Sequence, residues 1–210
     1  APVLGIPVNR VRVIQATTGG GFGGKDDITT EILTSLLAQK TGRPVKLSFT
    51  REETFLGTTK RHPMTIRCRT GATRDGMLTA VDGDVYGDTG AYCSLGIYIV
   101  KKCGIHLAGP YFVPNIRVDT YTVYTNNTIF GPMRGFGVIQ AAFVHESQMD
   151  RLADRLGISP VEIRMKNALD VGLTTSTGQV LKQSVGIKET IRRVEEYLAA
   201  NPLGGGERGW

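Results

Sequence analysis

Apolar and polar residues alternate with a period of two at Val11–Ala16, Pro44–Phe49, Thr65–Arg69, Leu78–Val85 and Val118–Tyr124, which predicts five strands. Thr73-Arg74-Asp75-Gly76 joins the third and fourth of these, and its Asp-Gly pair is a hairpin signal. A helical period replaces the alternation after Asp27, a plausible N-cap: Ile28, Ile32, Leu33, Leu36 and Leu37 form one stripe, closed by Gly42 and Pro44. Thr50-Arg51-Glu52-Glu53 opens a short helix. Ala142, Phe143, Met149, Leu152, Ala153 and Leu156 predict a helix over 139–156. Ser159-Pro160-Val161-Glu162 reads as a capping box with proline at the first helical position, and Ile187–Ala199 as a final amphipathic helix after an irregular loop at 172–186. The resulting class is α+β, with mixed β-sheet segments and packed helices.

Composition narrows the function classes. The 210 residues are 40% hydrophobic and 21% charged, as in a soluble globular protein with a sizeable core. The net charge of +6 is scattered, with no basic block interleaved with aromatics, which argues against nucleic acid. A basic balance suits acidic substrates, phosphorylated cofactors or acidic partners. Cys68, Cys93 and Cys103 contain no CxxC pair, so neither zinc nor iron–sulfur ligation is indicated, and reduced thiols in the cytoplasm fit best. The apolar run Ile97–Val100 is cut by Lys101 and Lys102, too short for a membrane span. Ala1-Pro2-Val3 and the glycine-rich Gly204–Trp210 read as cuts in a longer polypeptide.

The run Thr18-Gly19-Gly20-Gly21-Phe22-Gly23-Gly24-Lys25-Asp26-Asp27 is the densest candidate for chemistry. Glycines let backbone N–H groups approach a ligand closely, and a loop opening on a helix N-terminus suits an anionic or strongly polar group. Gly19–Lys25 fits a phosphate loop, but Asp26 stands where Ser or Thr should ligate magnesium, and two carboxylates there would repel phosphates. Gly19-x-Gly21-x-x-Gly24 also fits a dinucleotide fingerprint, yet a hairpin follows where a second βαβ unit should. A tight turn with no ligand is a further reading. A nucleotide-binding module and a non-catalytic interaction segment therefore stand as alternatives.

A fourth reading rests on resemblance. The loop, followed by a helix and Gly42-Arg43-Pro44-Val45-Lys46, resembles the molybdenum-cofactor subunit of the xanthine dehydrogenase / aldehyde oxidoreductase family. Gly87-Asp88-Thr89-Gly90-Ala91-Tyr92, Val113-Pro114-Asn115-Ile116, Met133-Arg134-Gly135-Phe136-Gly137 and Gly157-Ile158-Ser159-Pro160-Val161-Glu162 follow in the family's order. The likeness covers essentially the whole chain, read as residues 1–210 of a partial molybdopterin-binding catalytic domain.

The resemblance implies a pyranopterin-bound molybdenum, as molybdopterin or its cytosine dinucleotide, that hydroxylates a carbon next to nitrogen or oxygen with water as oxygen source. Iron–sulfur clusters and FAD on partner domains or subunits would carry the electrons away, within an oligomeric assembly. Gly21, Phe22, Gly23 and Gly24 match the loop facing the molybdenum, and Met133, Arg134 and Gly135 the segment beside the pterin; no side chain of the chain is expected to ligate the metal. Asp26 matches the position that carries Glu in xanthine-oxidising members and is often apolar in aldehyde-oxidising ones. A carboxylate there would orient a heterocycle. Phe136 matches the aromatic stacked on the substrate ring. Lys102 aligns with a substrate-polarising arginine, without its bidentate fork. The cofactor-approaching glutamine and the glutamate general base of the family match nothing in this chain, so the chain alone is expected to be inactive. For Lys25 a surface salt bridge is the expected role, and for His62 and His106 a satisfied core or surface position.

Overall fold

The computed structural model describes residues 1–202. In chain order it contains α1 (Glu31–Thr41), α2 (Arg51–Gly57), β1 (Met64–Ala72), β2 (Leu78–Gly90), α3 (Gly96–Ile105), β3 (Ile116–Tyr124), α4 (Val138–Leu156), α5 (Pro160–Asn167) and α6 (Ile187–Ala200). Two single-turn 3₁₀ segments, Pro2–Leu4 and Val8–Arg10, precede them. The glycine-rich segment Gly204–Trp210 lies outside the described residues.

The sheet has the order β1-β2-β3. β1 and β2 form the hairpin that Asp75-Gly76 announces: the Gly76 N–H donates to the Thr73 carbonyl, and Gly76 has a φ of +90°. The Val81 N–H reaches the Asn115 carbonyl and the Thr125 N–H the Gly90 carbonyl, so β2 and β3 run parallel with α3 between them in sequence. The sheet is mixed, and the class is α+β.

Two expectations fail and one helix goes unpredicted, each for a physical reason. Val11–Ala16 and Pro44–Phe49 join no ladder among the described residues. Val13 is 85% and Ile14 75% exposed, so among the described residues the alternation there meets no covering face and no pairing strand. Asp27 is not the N-cap of α1, and neither is Asp26. The helix begins at Glu31 behind Thr30, and the Thr29 N–H is taken by the Glu31 carboxylate. Finally, α3 arises where the apolar run Ile97–Val100 gave no helical period; its buried residues Ile99, Val100 and Cys103 pack by tertiary contact rather than by propensity.

The chain divides into two compact units. The first comprises Ala1–Met64, Tyr86–Val100 and Thr122–Phe136. The second comprises Thr65–Val85, Lys101–Tyr121 and the chain from Gly137 onward.

The second unit carries the hydrophobic cluster of Leu78, Val81, Ala108, Tyr111, Val113, Met149, Ala153 and Ile163. Gly83 lets Leu107 lie directly on β2, because a Cβ there would overlap the leucine's methyl group. The outward residues form a charge ladder in which Asp82 takes Arg69 and Arg117, and Arg117 also reaches Asp84 and Asp119. The buried Asn167 closes the unit. Its amide donates to the Gly76 and Ile163 carbonyls, and its oxygen accepts the Leu78 N–H, all at 2.8 Å. Ser159 accepts from the Glu162 N–H with Pro160 at the first helical position, but the expected capping box is only half formed, because the Glu162 carboxylate pairs with Lys166 instead.

Glu146 is the electrostatic hub of this unit. It accepts from the Tyr111 hydroxyl and the Arg164 Nε at 2.8 Å, and His145 Nε2 stands 3.4 Å away. Burial pushes its pKa up, but hydrogen bonds from His145, Tyr111 and Arg164 outweigh this and hold it at about 2.

Two outcomes follow, both measured on the intact subunit. Asn167→Ala leaves the Leu78 N–H and the Gly76 carbonyl buried without partners, at a cost of about 2 kcal/mol. Amide exchange at Leu78 should then quicken by roughly 30-fold. For Glu146, a depressed folded value contributes stability above the ordinary 4.5 that is lost as pH falls towards 2. The stability advantage of wild type over Glu146→Gln should therefore shrink across that window. Its amplitude is of order 1 kcal/mol, because the side chain is 39% exposed and solvent screens it. A difference independent of pH between 4.5 and 2 would refute the assignment.

Candidate functional site

Both glycine motifs lie in the first unit, and their loops meet. In loop 1, the Gly24 N–H donates to the Gly21 carbonyl at 2.9 Å, with Phe22 at a φ of +51° and Gly23 at +95° between them. Those angles match a type I′ turn, which requires positive φ at both central positions. In loop 2, the Phe136 N–H donates to the Met133 carbonyl at 2.8 Å, across Gly135 at a φ of +97°. Phe136 itself has a φ of +50° and is followed by Gly137 at +95°. Each loop thus holds a phenylalanine in the left-handed region just ahead of a glycine. For a residue with a Cβ this costs roughly 1–2 kcal/mol, strain that persists only where the surroundings enforce it.

The surroundings do enforce it. A Cβ on Gly23 would overlap the Pro132 carbonyl and stand 2.6 Å from the Met133 nitrogen. Backbone therefore rests on backbone, with no room for any other residue type. Above this contact the Arg134 guanidinium lies 5.6 Å from the centre of the Phe22 ring, a cation–π contact between the loops. The Arg61 guanidinium donates to the Arg134 carbonyl at 2.9 Å, and the Gly131 N–H donates to the Lys60 carbonyl. The segment after α2 thereby fixes loop 2 from one flank.

The end of β2 fixes the segment that leads into loop 2. Asp88 accepts from the Gly90 N–H, the Thr125 hydroxyl and the Asn127 amide, at 2.8, 2.7 and 2.6 Å. Burial alone would raise its pKa, but these three bonds and the neighbouring His62 lower it, so Asp88 stays ionised. Gly90 has a φ of +75° and packs on the Thr128 carbonyl. His62, 2% exposed, lies beneath this region with its ring 6.1 Å from that of Phe130. Burial lowers its pKa against the opposing pull of the Gly131 backbone, Asp88 and Asp27, which favours the neutral imidazole.

Several expected roles change. Lys25 forms no salt bridge among the described residues; its Nζ donates to the Gly20 carbonyl at 2.8 Å and closes loop 1 on itself. Because α1 starts only at Glu31, loop 1 does not open on a helix N-terminus, which removes the main physical argument for a phosphate site there. The lack of a strand over Val11–Ala16 removes the β–loop–α frame of a dinucleotide fold as well.

The remaining candidates are placed as follows. Gly21, Phe22, Gly24, Asp26, Met133, Arg134 and Gly135 are exposed, while Gly23 and Phe136 are half-buried. Lys102 occupies the last turn of α3 and belongs to the second unit, where burial and the Lys102 charge depress the pKa of His106. Arg61, Asp88 and Asp27 each act by reaching a backbone or side chain that is distant in sequence, a role local pattern does not reveal.

The family model of the molybdopterin cofactor-binding domain matches residues 1–168. Among curated relatives, the chain is 51% identical over 196 residues to the nicotinate dehydrogenase large molybdopterin subunit of Eubacterium barkeri, covering 93% of this chain and 46% of that protein. It is 42% identical over 192 residues to the xanthine dehydrogenase molybdenum-binding subunit of Escherichia coli, covering 90% of this chain and 25% of that one. The aldehyde oxidoreductase of Desulfovibrio gigas superposes with a TM-score of 0.80 at 35% identity, over 87% of this chain and 20% of that structure. The chain thus spans less than half the length of these relatives. With both glycine loops inside the matched region, the chain belongs to the molybdopterin cofactor-binding domain family of the molybdenum hydroxylases.

Proposed function

We propose that this chain supplies loops 19–26 and 132–137 to the catalytic subunit of a molybdenum hydroxylase acting on an N-heteroaromatic substrate. The observation that carries this reading is the backbone contact between Gly23 and Pro132–Met133, which joins the two motifs into one surface. When bound, a molybdenum–pyranopterin supplies the two-electron centre at which a carbon beside a ring nitrogen is hydroxylated with oxygen from water.

The residues present fit such a group. Among the described residues, the N–H groups of Phe22, Gly23, Arg134 and Gly135 donate to no protein acceptor, and a Cβ on Gly19 would meet nothing within 4 Å. Unpaired amides in a glycine cradle suit oxo and pterin acceptors. In this reading Gly21–Gly24 and Met133–Gly135 hold the cofactor, with the Arg134 guanidinium kept in place by Phe22. Asp26 accepts a hydrogen bond from the substrate ring and orients it, and Phe136 offers an aromatic face. The proton-abstracting base comes from outside this chain.

A relative named for nicotinate at 51% identity favours an N-heteroaromatic substrate, and the likeness to an aldehyde oxidoreductase makes an aldehyde the second class. The cytosine dinucleotide form of the cofactor, electron transfer through iron–sulfur and FAD partners, oligomeric assembly and a cytoplasmic setting complete the proposal. Among the described residues, no helix is long and apolar enough to cross a membrane.

The test uses two glycines that share a positive φ but differ in contact. Gly23→Ala in the intact subunit drives a methyl group into Pro132, whereas Gly42→Ala, at a φ of +63°, meets nothing within 4 Å. Gly23→Ala should lose at least about nine-tenths of bound molybdenum and pterin, measured by metal analysis and pterin fluorescence; a tenfold loss corresponds to about 1.4 kcal/mol. Gly42→Ala should keep both. The wild-type enzyme in isotopically labelled water should place the label in the oxidised ring. Full molybdenum loading of Gly23→Ala, or an unlabelled product, would overturn the reading.

A further inference from the structure

We propose that Asp27 is a positioning residue that fixes the direction of Asp26 by tying loop 1 to loop 2 and to the turn before α3. The inference rests on the proposal above that these loops form the catalytic surface.

Asp27 is available for this task because the helix does not use it. Thr30 precedes α1 without a side-chain cap, and the Glu31 carboxylate serves the nearest N–H. The Asp27 carboxylate instead lies half-buried and accepts the Ser94 hydroxyl, at 2.8 Å to Oδ1 and 3.0 Å to Oδ2, across 67 positions of sequence. Its Oδ2 also stands 2.7 Å from the point where a Cβ on Gly131 would be, and Thr59 closes on the same point at 2.6 Å. Gly131 is buried in this notch, with its N–H on the Lys60 carbonyl at 2.9 Å.

Two contacts therefore join the loops: Gly23 on Pro132–Met133, and Asp27, just after loop 1, beside Gly131, just before loop 2. Gly24, Lys25 and Asp26 span the interval, and all three are exposed. With both ends of so short an arc fixed, the backbone of Asp26 has little freedom, and its carboxylate faces out while that of Asp27 faces in. Two adjacent carboxylates thus have separate tasks, set by where each side chain points. A loose Asp27 end would let the arc swing and would blur the orientation that a substrate-binding carboxylate needs.

The experiment uses the intact subunit carrying Asp27→Ala, Ser94→Ala, both together, and Asp27→Asn. Three readouts are taken: molybdenum and pterin per subunit, amide exchange at Gly131, and KM and kcat for the N-heteroaromatic compound that wild type oxidises fastest. Ser94→Ala removes a single hydroxyl and keeps the test valid if Asp27→Ala fails to fold. Each single alanine variant should keep more than about half of its molybdenum, raise KM roughly tenfold with little change in kcat, and speed exchange at Gly131 roughly tenfold. The double variant should be no worse than the worse single variant, since the two residues act through one bond. Asp27→Asn, which still accepts from Ser94, should recover most of the KM.

Additive losses, wild-type exchange at Gly131, or molybdenum loss with KM unchanged in the loaded fraction would each refute the role of Asp27. Absence of molybdenum from wild type would refute the proposed function instead, and the exchange at Gly131 would still decide whether the tie exists.

Discussion

The site depends on a contact that no side chain can enter. Gly23 lies against the Pro132 carbonyl and the Met133 nitrogen so closely that a single methyl group would separate the two loops. That closeness accounts for much of the surrounding chemistry. It brings the Phe22 ring under the Arg134 guanidinium. It also makes the positive φ of Phe22 tolerable, because the left-handed turn delivers Gly23 to its partner. Phe136-Gly137 repeats the same pair of backbone angles in loop 2. Strain of this kind needs compensation, and here it comes from hydrogen bonds: Lys25 to Gly20, Arg61 to Arg134, and the three donors gathered by Asp88.

The two units are stabilised in different ways. The second has an apolar cluster under β2, α4 and α5, a fully bonded Asn167 and an ionised Glu146. The first has few buried apolar side chains. Leu33, Leu36 and Leu37 on α1 and Phe55 and Leu56 on α2 are all at least 39% exposed, as are Val13, Ile14 and Ile28.

Much of this was legible in the sequence. The hairpin at Asp75-Gly76, the cap at Thr50, the helix from Val138 and the final amphipathic helix each follow from local chemistry, and the structure has them. The Gly-Phe-Gly repeats marked both loops, and their adjacency followed from the family resemblance. What local pattern could not supply was partnership. Val11–Ala16 alternates like a strand yet has nothing to pair with among the described residues, and α3 packs Val100 directly over Gly87, a contact with no trace in periodicity. Asp27 shows the same limit at the site. An aspartate ahead of an apolar stripe has the composition of an N-cap, and only the position of Ser94 reveals its other use.

Lys25 and Asp27 together show how a loop of this composition becomes a defined shape. Five glycines within six residues confer the largest backbone entropy a chain can have, so the folded loop needs constraints that glycine cannot provide. They come from the charged residues that follow. Lys25 reaches back to the Gly20 carbonyl and fixes the entry of the turn, while Asp27 reaches forward to Ser94 and fixes its exit. Asp26, between them, is exposed and spent on neither contact. The run Lys-Asp-Asp after the glycines is therefore more than a polar flank. Two of its side chains limit the conformations of the glycine turn, and by doing so they leave the third with a defined direction.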